Sequence, residues 1–146
     1  MYSCGAACGG GSEIAINNAK AYLSVMKGKT NLNGSIVGDK SKAFAVRIVK
    51  LYKYLCEKNE YVISKQILRS GTSIGANIAE GRYAQSKSDF INKMSIALKE
   101  AAETEYWLEL LKETDYISED HYVNINNDCA ELIKILIAIV KTGKNQ

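Results

Sequence analysis

Proline is absent from the 146 residues, and histidine and tryptophan occur once each. Without proline, nothing forces a break in a long helix, where that residue costs about 3 kcal/mol. A lone histidine, His121, rules out a carboxylate-bridged metal pair of the bundle type, which draws one Glu-x-x-His from each of two helices. The four cysteines, Cys4, Cys8, Cys56 and Cys129, form no C-x-x-C pair and no zinc-ligand spacing. Cys4 and Cys8, four apart, could be oxidised together or pick up a stray metal, whereas Cys56 and Cys129 read as small hydrophobes within helices. No apolar run approaches the ~20 residues of a membrane span. Nor does a basic start followed by a continuous apolar stretch open the chain. The expectation is a cytoplasmic protein with reduced thiols, no membrane association and no cofactor.

What is present suits one folded domain. Hydrophobic residues make up 47% and charged residues 24%, with a net charge of +3, too apolar and too weakly charged for a disordered chain. Residues 1–38 form a glycine-rich N-terminal extension. Seven of the eleven glycines fall before residue 41. Within the extension, residues 12–26 have the spacing of one short helix capped by Ser12.

Residues 39–146 carry helical period throughout. Asp39 or Ser41 caps a first helix to about Lys58, with Phe44, Ile48, Leu51, Tyr52 and Leu55 on one face. Asn59 and Glu60 turn the chain into a second helix, about residues 64–84. Ser86 or Ser88 caps a third, to about Glu113, bearing Phe90, Met94, Leu98, Trp107, Leu108 and Leu111. After a turn at 115–118, a fourth runs from Glu119 to about Thr142 and ends at Gly143. Four helices on short loops make antiparallel neighbours, so the predicted fold is an all-α, up-down-up-down four-helix bundle.

Two features ask for more than a bundle. Gly71, Gly75 and Ala79 recur every four residues, and each glycine costs up to about 1 kcal/mol of helix propensity relative to alanine. A helix so rich in small residues implies close approach of a backbone: a neighbouring helix, another subunit or a ligand. The fourth helix holds Leu132, Ile133, Ile135, Leu136, Ile137, Ile139 and Val140 with only Lys134 and Ala138 between. It is apolar nearly all round, and predicts cover by the N-terminal extension or by a second chain. Oligomerisation is the expected solution.

Charge is segregated along the chain. Residues 41–86 carry eight Lys/Arg against three Asp/Glu, whereas residues 87–146 carry seven against eleven. A basic hairpin followed by an acidic one suits head-to-tail contacts between subunits, and equally suits neutralisation between helices of one bundle. Lys42, Arg47, Lys50, Lys53, Lys58, Lys65, Arg69 and Arg82 supply the positive side. Tyr52, Tyr54, Tyr61 and Tyr83 lie among them, a pattern that fits a polyanion with unpaired bases.

Catalytic patterns fare poorly. Gly71-Thr72-Ser73-Ile74-Gly75 matches G-x-S-x-G, but that motif lifts its serine only where a strand turns into a helix, and no strand precedes it. Glu100, Glu103 and Glu109 suit a solvated or ion-paired face. No phosphate-cradling glycine loop with its lysine is present. The chain is expected not to be an enzyme.

Several strings resemble a known family. Phe44-Ala45-Val46-Arg47-Ile48-Val49-Lys50-Leu51-Tyr52, Ser70-Gly71-Thr72-Ser73-Ile74-Gly75-Ala76-Asn77-Ile78-Ala79-Glu80 and Glu103-Thr104-Glu105-Tyr106-Trp107-Leu108-Glu109-Leu110-Leu111 resemble bacterial four-helix-bundle proteins encoded in intervening sequences of 23S ribosomal RNA genes. The resemblance spans about residues 39–142. It implies a non-enzymatic bundle assembling as a homopentamer. It also implies kinship with the accessory variability protein of diversity-generating retroelements, which works with a reverse transcriptase and is thought to bind nucleic acid. Carried onto this sequence, it points to Arg47, Lys50, Arg69 and Arg82 as polyanion contacts, with Lys53 beside them, and to Trp107 as a packing anchor. Trp107 joins Ile135, Ile137 and Ile139 as the expected subunit interface. RNA or DNA binding is the leading expectation. The alternatives are a structural or protein-interaction scaffold, or an accessory subunit of a reverse transcriptase that does not itself touch nucleic acid.

Overall fold

The computed structural model describes residues 35–145, together with Lys20. Apart from Lys20, the helix expected over residues 12–26 lies outside the described residues, as do Cys4 and Cys8. Four helices follow in order: α1 (Ile36–Glu57), α2 (Ile63–Gly81), α3 (Lys87–Glu113) and α4 (Glu119–Lys144). They form the antiparallel all-α bundle that the periodicity predicts. α2 packs broadly on α1 and α3, and α3 on α4, while the seam between α1 and α4 is the thinnest.

Local chemistry sets the helix ends. Ser35 Oγ accepts from Gly38 N (3.1 Å), Ser86 Oγ from Asp89 N (3.0 Å) and Ser118 Oγ from His121 N (3.2 Å), each relieving a first-turn donor that has no intrahelical partner. α1 therefore starts earlier than expected. Asp39 lies inside its first turn, and Val37 and Gly38 are buried, so the bundle takes in residues assigned to the extension. Asn59 and Asp115, with φ of 60° and 63°, reverse the chain after α1 and α3 in the left-handed conformation that asparagine and aspartate tolerate.

α2 has no capping side chain at its first residue, and Glu60 supplies one from outside the helix. Its Oε1 accepts from Val62 N (3.0 Å) and Ile63 N (2.8 Å), and its Oε2 from Ser64 N (2.6 Å). Only 6% of Glu60 is exposed. Burial alone would favour the protonated acid, but the three N–H donors outweigh it and hold the carboxyl below its ordinary value.

The core is built from Phe44, Ile48 and Leu55 of α1, Ile67, Ile74 and Ile78 of α2, Phe90, Met94, Leu108 and Leu111 of α3, and Leu132, Leu136 and Ile139 of α4. One buried polar pair crosses it, Ser70 and Thr104 meeting hydroxyl to hydroxyl at 2.9 Å between α2 and α3. The small-residue stripe divides. A Cβ at Gly71 would stand 2.7 and 2.8 Å from the two γ carbons of Ile48, so this glycine lets α1 and α2 close on each other. A Cβ at Gly75 would meet Ser41 only at 3.5 Å. Gly143 does not end α4, which continues to Lys144. It is buried where a Cβ would lie 1.9 Å from Ile91 Cδ1, so its role is close packing against α3.

The largest correction concerns α4. Leu132, Ile135, Leu136, Ile139 and Val140 are all buried within the single chain, and Ile133 and Ala138 are half-buried against the same core. At 100° per residue the buried five sweep about 140° of the helix, wide enough to face both α1 and α3. Ile135 (3% exposed) and Ile139 (0%) are thus unavailable to a partner as placed, and of the three isoleucines assigned to an interface only Ile137, at 36%, reaches the surface.

Candidate nucleic-acid interface

The charged side chains sort into those that the chain neutralises itself and those that it leaves open. Between α1 and α4, Arg47 is held by the Asp128 carboxylate and by the backbone and side-chain oxygens of Asn124, and Lys40 meets Glu131 at 2.8 Å. Between α2 and α3, Arg69 pairs with Glu103 and, at 3.4 Å, with Glu100, while Lys93 of α3 reaches back to Glu80 of α2 at 2.6 Å. Hydrogen bonding to Glu103 raises the Arg69 pKa above its ordinary value. In turn Arg69, and then the Trp107 indole N–H at 3.1 Å from Oε1, hold Glu103 below its own. Of the eight cations in residues 41–86, Arg47 and Arg69 are thus neutralised across helix seams.

The assigned polyanion contacts separate on this basis. Arg47 and Arg69 are engaged by carboxylates within the chain. Lys50, Lys53 and Arg82 have no carboxylate within ion-pair distance among the described residues, and neither do Lys42 and Lys65. Lys42, Lys50 and Lys53 stand on the outward side of α1, exposed, with Val46 and Val49 exposed among them. Lys65 and Arg82 are exposed at opposite ends of α2. Together they lay unpaired positive charge along a helix hairpin about 30 Å long. Tyr61 and Tyr83 are exposed at the two ends of α2, whereas Tyr52 and Tyr54 are half-buried.

Between the hairpin's helices runs a groove of about 540 Å³. It is floored by small side chains, Ser41, Ala45, Thr72, Ala76 and Ala79 with Gly38 and Gly75, and rimmed by Asp39, Lys42 and Arg82. Trp107 is half-buried and tied to Glu103 one helical turn away, a contact within α3. Ser73, the serine of the G-x-S-x-G string, lies inside α2 with its hydroxyl donating to the Arg69 carbonyl at 2.7 Å. Cys129 is buried, its Sγ 3.4 Å from the Ala101 carbonyl oxygen, and burial, with Glu105 and Asp128 nearby, pushes its thiol up to about 12. Among the described residues no three His, Cys, Asp or Glu side chains gather in a way that could hold a metal ion, and no helix is long and apolar enough to cross a membrane.

The four described helices place the chain in the class of all-α, antiparallel four-helix bundles. The chain is a member of the 23S rRNA-intervening sequence protein family, which matches residues 34–138. It is also similar to a crystal structure, solved at 1.70 Å, of a protein of unknown function from the S23 ribosomal protein family of Bacteroides thetaiotaomicron VPI-5482. The two are 65% identical, with a TM-score of 0.72, over 73% of this chain and 99% of that one. No curated protein matches the chain.

Proposed function

We propose that this chain is a non-catalytic, homo-oligomeric protein, with five protomers to a ring, that binds RNA or DNA through the outer face of α1 and α2. The observation that carries this reading is the set Lys42, Lys50, Lys53, Lys65 and Arg82, left without carboxylate partners while Lys40, Arg47 and Arg69 of the same hairpin are neutralised across the seams. Unpaired cations along one face attract a phosphate backbone and release its counterions, and repetition around a ring multiplies the field.

A second reading is favoured by Val46 and Val49, exposed among those lysines. On that reading the same face docks on the more acidic α3–α4 half of a second copy, and the cations serve assembly alone. One variant separates the two. Reversing charge with Lys42→Glu, Lys53→Glu and Lys65→Glu should abolish binding of a single-stranded oligonucleotide in fluorescence anisotropy, while light scattering still reports a mass near that of five protomers. Loss of the oligomer in favour of folded monomers would select the second reading. Retention of full oligonucleotide affinity would refute the first.

A further inference from the structure

The thin seam between α1 and α4 contains a recess of about 320 Å³, lined by Arg47, Lys50, Leu51 and Tyr54 of α1, Ile117 ahead of α4, and His121 and Ile125 of α4. That volume lies at the small end of the roughly 300–1,000 Å³ usual for ligand sites. It suits one planar group better than a segment of another protein. Its lining is ordered by chemistry. Leu51, Ile117 and Ile125 give an apolar floor, with Ile117 and Ile125 themselves buried. Tyr54 and His121 stand at 80° to one another with ring centroids 6.4 Å apart, so they form a corner instead of stacking on each other. Lys58 lies 5.6 Å from the Tyr54 ring centroid on the next turn of α1.

The polar side of the recess is equally defined. Arg47 is held by Asp128 and Asn124, and Asp128 cancels its net charge. Lys50, unpaired, brings the uncompensated positive charge. Glu119 and Asp120 in the first turn of α4 oppose an anion there. The recess is therefore suited to a neutral planar group with its charge on the Lys50 side, and poorly suited to a free, doubly charged phosphate.

We infer that the α1–α4 recess receives one unpaired base of a bound single strand, with the adjoining phosphate directed toward Lys50. This rests on the nucleic-acid reading above and adds a preference that the cationic face alone would not give. A charged hairpin face holds single and double strands alike, whereas a ring-lined recess accepts only a base that is free of its complement.

The test compares the full chain and its variants on a single-stranded oligonucleotide and on the duplex of the same sequence, by anisotropy at low salt. Tyr54→Leu should lose roughly tenfold in single-strand affinity, the scale of one base–aromatic stack, and leave duplex affinity unchanged. Tyr54→Phe should restore single-strand binding. His121→Ala, at an exposed position, should weaken single-strand binding in the same selective way and serves if Tyr54→Leu does not fold. Wild-type affinity in His121→Ala and Tyr54→Leu, with Lys53→Glu still weakening both nucleic acids, would overturn the recess and leave the surface reading standing. A change of oligomer mass on Tyr54→Leu would overturn it also, by making the recess a subunit contact. No binding of either nucleic acid by the wild-type chain would overturn both.

Discussion

Replacing Gly71 with alanine tests the packing of the hairpin most sharply. A methyl group at Gly71 would lie 2.7 Å from Ile48 Cγ1, 2.8 Å from Cγ2 and 3.1 Å from Cδ1. Both γ carbons hang directly on Cβ, and a β-branched side chain in a helix has essentially one χ1 well, so Ile48 cannot rotate away. Ile48 is also fully buried, so α1 and α2 would have to separate. Overpacking costs about 1–3 kcal/mol, and two γ carbons under 3.0 Å with no rotamer to escape to put this case at about 2–3 kcal/mol, against about 1 kcal/mol gained in helix propensity, for a net loss of about 1–2 kcal/mol. Gly75, one turn later, reverses the sign. Its new methyl would rest at ordinary contact distance from Ser41, so Gly75→Ala should stabilise by about 0.5–1 kcal/mol. By thermal denaturation, Gly71→Ala should melt roughly 4–8 °C lower and Gly75→Ala a few degrees higher. The strain should also be coupled to its neighbour. Adding Ile48→Ala to Gly71→Ala should cost less than the sum of the two single changes. A Gly71→Ala protein as stable as the wild type would refute the claim that this glycine sets the spacing between α1 and α2.

Other predictions follow from particular side chains. Glu60→Ala strands three backbone donors at the start of α2 and should cost about 2 kcal/mol, read as a lower urea midpoint. Because the folded pKa of Glu60 is depressed, its charge contributes stability above the ordinary 4.5 and loses it as pH falls through the lower folded value. The midpoint gap between wild type and Glu60→Gln should therefore hold from neutral pH down to about 4.5 and shrink below it. Cys129, with a thiol pushed up to about 12 and no solvent access, should resist alkylation in the native protein and react after half-buried Cys56, as peptide mapping following brief iodoacetamide treatment would reveal. Ile137→Asp should leave the fold intact by circular dichroism and lower the oligomer mass if α4 borders a neighbouring subunit. An unchanged mass would exclude Ile137 from that interface.

The bundle was legible because its signals are local and repeated. Ser86, Asn59 and the turn ending at Ser118 announce their boundaries with residues whose side chains can do only a few things there. Glu60 escaped because an acid between two helices looks like any solvated turn residue, and only the fold reveals three N–H groups converging on it. Gly143 reads as a breaker, since composition cannot distinguish a glycine that ends a helix from one that admits a neighbour's side chain. The perimeter of α4 misled for a geometric reason. A helix touching two neighbours can bury a stripe half as wide again as a one-sided helix, so a demand for outside cover does not follow from its sequence.

The candidate site was half legible. Clusters of lysine and arginine are visible in any sequence, but Arg47 and Arg69 look identical to Lys50 and Lys53 until Asp128 and Glu103, dozens of residues away, are brought against them. The recess at Tyr54 and His121 joins residues 67 apart and left no sequence signal at all.

The salt dependence of single-strand binding tests the central claim most directly. If Lys42, Lys50, Lys53, Lys65 and Arg82 of one protomer each meet a phosphate, log affinity should fall with log salt at a slope of about −3.5. A slope near zero, or no measurable binding at the lowest salt, would contradict it.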